Sequence, residues 1–306
     1  MSSALDRVGP GGRVALVRLR SMGDCVLTTP AISIVKQARP DLAIAVVVED
    51  RFAALFEGNP AVDAILRPDW RDLRRSKPDL CVNLHGGGSS ARLTALSGSR
   101  LRAGFTHFRY QPVYNVRIPR AQEILRIERK VHTAEHLASA MFYLGAARVE
   151  IPRASLYAGR TAAQVVRAPY AVIHPVASAE NKTWPADRFR EIADRLKSSL
   201  DLDPVFVGGP GEDLSAFQTW RTFSGAPLDE IKSLMAGAAL FVGNDSGPAH
   251  MAAAFGLPVV VLFGASDPVI WGPWRTPAEV LTGASGISSV SVQQVAAALE
   301  RLRVRV

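Results

Sequence analysis

Residues 239–268, ALFVGNDSGPAHMAAAFGLPVVVLFGASDP, decide the fold. They read as strand, turn, helix, strand and loop. The strand over residues 240–242 runs into Gly243-Asn244-Asp245-Ser246-Gly247-Pro248. Pro248 suits the first helical position, and Ser246 suits the cap before it. The helix continues through residues 250–255 and stops near Gly256, and residues 258–263 form the next strand. A strand-to-helix turn of this kind leaves backbone N–H groups open at a helix N-terminus, where the dipole also favours negative charge. It is a seat for a phosphate or diphosphate. Asp245 stands beside that seat and can accept hydrogen bonds from sugar hydroxyls.

The same alternation extends outward in both directions. In the first half, strands are expected over residues 13–19, 42–48, 64–66, 80–84 and 102–105, with helices over 29–38, 51–56, 91–96 and 131–144. In the second half, strands are expected over 170–174 and 204–207, with helices over 186–198 and 228–236, a weaker one after Glu212, and a closing amphipathic helix over 290–302. Alternation of this kind implies βαβ units and parallel sheets. Apolar periodicity lapses near residues 155–168, which divides the chain into an N-terminal domain of 1–160 and a C-terminal domain of 161–306. At 306 residues the chain has room for two domains of about 150 residues each.

Three further stretches carry chemistry. Residues 18–30, RLRSMGDCVLTTP, put Asp24 in the turn after the first strand, at the sheet edge where open α/β folds bind ligands. A carboxylate there can take a proton from an attacking hydroxyl; it can equally cap the Thr28-Thr29-Pro30 helix start. Arg18 and Ser21 share that edge. Residues 174–185, HPVASAENKTWP, place Ser178 and Lys182 in a polar loop after a strand, where a lysine can neutralise a departing diphosphate. Residues 207–212, VGGPGE, form a tight turn. Its bare backbone at Gly208 and Gly209 admits a base or ribose, with Glu212 available for hydroxyls. His250 lies one turn into the helix of the phosphate seat. His85 and His132 have weaker cases.

Taken together, in order and at this spacing, the four motifs resemble those of the bacterial heptosyltransferases, glycosyltransferase family 9, over nearly the full chain. The resemblance implies a GT-B architecture, two Rossmann-like domains facing across a cleft, with the last helix packing back on the first domain. It implies an inverting, metal-independent transfer of heptose from ADP-heptose to an anionic glycan such as the lipopolysaccharide inner core. Asp24 matches the family's proposed base. Ser178, Lys182, Asp245, Ser246, Gly247, Pro248 and His250 fall on the donor and phosphate side. Gly208, Gly209 and Glu212 fall on the ribose and base side, and Arg18 and Ser21 on the acceptor side. The chain departs from the family in carrying Pro248-Ala249 in the donor loop and in lacking a Cys-containing segment before the last helix. A relative using another nucleotide sugar, an epimerase of similar architecture, or a nucleotide-sugar-binding protein without turnover are the alternatives. Intact Asp24 and Lys182 speak against the last.

Charge is unevenly placed. Residues 1–160 hold 21 Arg and 3 Lys against 14 acidic residues, a net +10; residues 161–306 hold 9 Arg and 3 Lys against 14, a net −2. An anionic partner for the first half is implied, and guanidinium forks suit phosphate or carboxylate. A phosphorylated glycolipid fits, as does peripheral contact with the inner face of an anionic membrane. Aromatic residues do not interleave with the arginines, which argues against single-stranded nucleic acid. No G-x-G-x-x-G follows the first strand, no P-loop Lys-Ser/Thr appears, and no His/Cys/Asp/Glu cluster has metal-ligand spacing, so neither a cofactor nor a metal is expected. Cys25 and Cys81 are too few for a disulfide framework and are expected to be buried. No apolar run is long enough to cross a bilayer and no leader is visible at the N-terminus, so a cytoplasmic protein is expected.

Overall fold

The computed structural model describes residues 2–159, 166 and 169–303. The chain divides into two compact units, Met1–Tyr157 and Ala158–Val306. This division falls at the start of the stretch where apolar periodicity lapses.

Unit 1 is built on six parallel strands: β1 (Arg13–Val17), β2 (Ala43–Val47), β3 (Ala64–Leu66), β4 (Leu80–Asn83), β5 (Leu101–Phe105) and β6 (Val116–Ile118). Their order in the sheet is β3-β2-β1-β4-β5-β6. The helices are α1 (Met22–Val26), α2 (Thr29–Ala38), α3 (Trp70–Arg75), α4 (Gly88–Leu96), α5 (Ala121–Leu125) and α6 (Thr133–Leu144). Central strands such as RVALV and LCVN are buried almost throughout, because helices cover both faces of a parallel sheet. Residues 51–56, expected as an α-helix, form a 3-10 helix over Asp50–Leu55.

Unit 2 repeats the plan. Its strands are β7 (Tyr170–His174), β8 (Asp203–Gly208), β9 (Arg221–Ser224), β10 (Leu240–Asn244), β11 (Val259–Phe263) and β12 (Ala278–Thr282), in the order β12-β11-β10-β7-β8-β9. Numbered within the unit and read from the other edge, this is again 3-2-1-4-5-6. The helices are α7 (Ala186–Leu200), α8 (Leu228–Ala236), α9 (Gly247–Phe255), α10 (Pro268–Trp271) and α11 (Val292–Arg303). Helix α7 buries Phe189, Ile192, Ala193 and Leu196, the stripe of an amphipathic helix. Helix α11 buries Val295, Ala298, Leu299 and Leu302 in the same unit-2 core as Trp184, Phe206 and Val260. The weak helix expected after Glu212 is instead one 3-10 turn, Ser215–Phe217, followed by β9. Phe217 stacks on Phe206 with ring centroids 4.4 Å apart, and this packing ties the segment down.

Each sheet has its topological switch point where the strand order reverses, between β1 and β4 in unit 1 and between β7 and β10 in unit 2. Ligands of open α/β sheets bind outside the carboxyl ends of strands at that point. Among the described residues, no helix is long and apolar enough to cross a membrane.

Candidate active site

At the unit 1 switch point, β1 delivers Arg18 and β4 delivers His85. Arg18 is buried, and its Nη2 donates to Asp24 Oδ1 at 3.0 Å, with side-chain exposures of 8% and 21%. Burial pushes the Arg18 guanidinium down from its usual value, and Asp24 works against that. Asp24 is not in an open turn, as expected, but in the first turn of α1. Its Oδ2 accepts from the Ser21 hydroxyl at 3.1 Å and the Ser21 N–H at 3.4 Å, a capping box at the helix start. The Thr28 hydroxyl donates to the Asp24 carbonyl at 2.8 Å. The carboxylate is thus fixed by three donors from two elements. Burial and Arg18 lower His85, which bonds the Arg20 backbone. His132 is instead the cap of α6: its Nδ1 accepts from the Ala134 N–H at 3.1 Å.

Two adjoining hollows open at this carboxyl edge, of about 580 and 450 Å³, sharing Glu49, Pro68 and Asp69. The first is lined by Arg67, Arg71 and Arg75 together with Asp50 and Asp72, and the second by Trp70 and Arg92, so acids offset the arginines in both.

The unit 2 site is assembled from the ends of β7, β8, β10 and β11. Helix α9 begins at Gly247, with Pro248 second and Ser246 as N-cap in extended backbone. Pro248 has no N–H, so it shapes the helix start but cannot hold a phosphate by hydrogen bonding. Ser246 and Gly247 stand at the cap and first position, where an N–H has no intrahelical acceptor. The Ser246 hydroxyl does not cap the helix as expected; its Oγ lies 3.0 Å from His174 Nδ1. On the other side of that ring, Nε2 lies 3.1 Å from Glu212 Oε2. The Gly209 N–H donates to the same Oε2 at 2.7 Å. The bond to His174, more than any other influence, holds the Glu212 carboxyl below its usual range. Gly208, Gly209 and Glu212 are therefore one turn gathered onto a buried histidine. His174 was not singled out from the sequence; its signal was a polar residue ending a strand inside the HPVASAENKTWP motif.

Lys182 ends a 3-10 turn, Glu180–Lys182, which is anchored on both sides. The Trp184 N–H donates to Asn244 Oδ1 at 3.1 Å, Asn244 Nδ2 donates to the Pro175 carbonyl at 2.8 Å, and Trp184 Nε1 donates to the Val290 carbonyl at 2.9 Å. A Cβ on Gly264 would lie 2.1 Å from the Asn181 carbonyl oxygen and 2.9 Å from Lys182 Cα, so a bare backbone at the end of β11 is what admits this loop. Lys182 and Asp245 interact electrostatically. Burial raises Asp245 above its usual value, while the Ser266 hydroxyl and Lys182 oppose the rise. Ser178 is exposed in the loop before Lys182. His250 is buried in α9, its ring edge-on to Trp271 with centroids 6.5 Å apart. Among the described residues, no group of three or more His, Cys, Asp or Glu side chains is placed to hold a metal ion. Cys25 and Cys81 are free and buried, and burial pushes both thiols up to about 12.

Residues 67–295 match the model of glycosyltransferase family 9 (heptosyltransferase). The chain belongs to this family. This family 9 glycosyltransferase is 27% identical over 297 residues to lipopolysaccharide heptosyltransferase 3 of Escherichia coli K12, with 84% of this chain and 83% of the relative covered. It also resembles two solved structures from E. coli. One is ADP-heptose LPS heptosyltransferase II, with a TM-score of 0.80, 20% identity, and 96% of this chain and 99% of the other covered. The other is heptosyltransferase WaaC with ADP, with a TM-score of 0.77, 21% identity, and 95% and 99% covered. The two parallel α/β units are thus of the GT-B kind, as expected from the motifs.

Proposed function

We propose that this glycosyltransferase moves a heptose from ADP-heptose to an anionic glycan acceptor such as the lipopolysaccharide inner core, with inversion and without a metal ion. The observation that carries the reading is the seat at the end of β10. There Ser246 and Gly247, the cap and first residue of α9, follow Asp245, which Lys182 meets electrostatically. A helix start with free donors and a nearby lysine suits a leaving diphosphate, whose developing charge is the main electrostatic burden of glycosyl transfer. The names of the relatives, and the ADP held by one structural neighbour, support ADP-heptose as the donor.

Each site residue takes a role in this reading. Lys182, Ser178 and the Ser246 and Gly247 backbone meet the diphosphate, and Pro248 sets the start of the helix that presents it. Asp245 orients the sugar, His250 braces α9 from within, Glu212 takes ribose hydroxyls, and Gly208 and Gly209 let the nucleoside approach the backbone. Asp24 takes the proton of the acceptor hydroxyl as it attacks the anomeric carbon. One displacement inverts that carbon, and no enzyme nucleophile is needed. Arg18 and Ser21 hold Asp24 and border the acceptor. The net +10 of residues 1–160 suits a phosphorylated core glycan on a lipid anchor, met at the cytoplasmic face of the inner membrane.

The test is a thermal-shift comparison of ADP, UDP and GDP with and without chelator, followed by turnover of ADP-heptose on a heptose-free core glycan. A ligand at about 100 times its Kd adds roughly 2.7 kcal/mol of stability. ADP should give the largest shift, unchanged by chelator. Equal shifts for the three nucleotides, or a shift that needs magnesium, would overturn the donor assignment.

A further inference from the structure

His174 ends β7, on one side of the unit 2 switch point, and Ser246 follows β10 on the other. The two strands are register partners, with Gly243 opposite His174. A Cβ on Gly243 would lie 2.8 Å from the His174 carbonyl oxygen, so the glycine lets the strands carry the ring this close to the helix start. The ring is 4% exposed and engaged at both nitrogens: Glu212 at 3.1 Å from Nε2, and Ser246 Oγ at 3.0 Å from Nδ1. Two residues that sequence reading assigns to different parts of the nucleotide are thus joined through one buried side chain.

We propose that His174 is a positioning residue that locks the ribose-binding carboxylate and the diphosphate seat into one hydrogen-bonded unit. The inference rests on the nucleotide-sugar reading of this site. The chemistry of the bonds sets their direction. An ionised carboxylate only accepts, so Nε2 carries the hydrogen and donates to Glu212. In the neutral imidazole Nδ1 then presents a lone pair, and the Ser246 hydroxyl donates to it. Two consequences follow. The Gly209 N–H and the imidazole both spend themselves on Oε2, leaving Oε1 of Glu212 open for a ribose hydroxyl. The Ser246 hydroxyl spends its hydrogen on Nδ1 and has none to give a phosphate, so the diphosphate is left to backbone N–H groups, Lys182 and Ser178.

Two conservative variants separate the halves of the unit. The Gln amide of His174→Gln reaches where Nε2 lies and keeps the bond to Glu212 while losing Ser246. The shorter amide of His174→Asn reaches where Nδ1 lies and keeps Ser246 while losing Glu212. Calorimetric affinities for ADP, 2′-deoxy-ADP and AMP are the readout. In the unsubstituted protein, ADP should bind about tenfold or more tightly than 2′-deoxy-ADP, the worth of one hydrogen bond to a charged group. His174→Asn should abolish that preference and keep the ratio of ADP to AMP. His174→Gln should keep the ribose preference and change the ratio of ADP to AMP. If both ratios change together in both variants, or neither changes in either, His174 is only a core residue and the proposal is overturned. A second measurement decides the relay where a variant fails to fold or where ADP does not bind at all, the latter result refuting the donor reading by itself. It is the melting temperature of Glu212→Gln, Ser246→Ala and the double variant. Non-additive shifts support coupling through His174, and additive shifts refute it.

Discussion

Replacing Asp24 with Asn separates chemistry from scaffolding at the unit 1 switch point. The amide keeps the size of the side chain, and its oxygen can still accept from Ser21, so the capping box largely survives. What is lost is the negative charge 3.0 Å from Arg18, whose side chain is 8% exposed. Breaking a fully buried ion pair costs about 3–5 kcal/mol. Here an amide oxygen still meets the guanidinium and Asp24 is 21% exposed, so the cost falls to about 2 kcal/mol. For a unit of this size that lowers the melting temperature by about 4–8 °C. If Asp24 is the general base, turnover falls by about 10² to 10⁴ as well. Donor affinity should not move, because every residue assigned to the donor lies in unit 2. The assay is steady-state transfer at a temperature well below both melting transitions, with ADP affinity from calorimetry and melting temperature from calorimetric scans. A variant that melts several degrees early yet turns over within tenfold of the unsubstituted enzyme would show that Asp24 holds Arg18 and α1 in place and does no proton transfer.

Three further outcomes are expected. Lys182→Ala should weaken ADP binding by about 10- to 100-fold, one charge-assisted contact, with the melting temperature unchanged, as calorimetry and thermal scans would record. Gly264→Ala should weaken ADP binding to a similar degree without touching a ligand, since its Cβ would meet the Asn181 carbonyl at 2.1 Å and displace the Lys182 loop; a normal Kd would show that the loop tolerates the shift. Burial, with His107 and Arg18 adding to it, pushes His136 down to about 4 from an ordinary 6.5. Between those pH values the unfolded chain binds a proton that the folded chain refuses, so stability falls as pH drops from 6.5 to 4, by about 3 kcal/mol in total. His136→Gln should flatten that slope in denaturant titrations, and an unaltered slope would place the pH dependence elsewhere.

The central strands were legible because burial on both faces writes itself as an unbroken apolar run, VVVLF or YAVIH. Strands β6, β9 and β12 were not. All three are sheet edges, half-exposed, with compositions such as RTFS and AEVLT that no run of apolar residues marks. Helix α1 was read as a turn because five residues containing Gly23 and Val26 have little intrinsic helical preference. It forms because Ser21 and Asp24 satisfy its first donors and Arg18 fixes the carboxylate. The Lys182 loop and the β10–α9 seat were legible as motifs. Their joining was not: Asn244, Gly264 and His174 act through contacts between segments 60 to 83 residues apart, and no local pattern reports such contacts.

The two units share one strand order, yet their switch points are built for opposite charge. In unit 1 the helix after the first strand carries an acid in its first turn. Asp24 neutralises the start of α1 and is itself paired with the buried Arg18. An anion gains nothing from that helix start, and the carboxylate is left oriented at the edge, where a hydroxyl can reach it. In unit 2 the corresponding edge belongs to α9, whose first turn holds no acid, and its capping serine is turned away to His174. The dipole of that helix start is not offset by an acid of its own, and Lys182 adds its charge nearby. Under the proposed function, the difference between taking a proton and holding a diphosphate comes down to where one carboxylate sits. At α1 it lies inside the first turn, at N3. At the seat, Asp245 lies just before the cap, where it borders the bound group without cancelling the donors. Moving an acid into the first turn of α9 at its half-buried second position, as in Pro248→Asp, should therefore weaken ADP binding in calorimetry with little change in melting temperature, and an unchanged Kd would refute this reading of the seat.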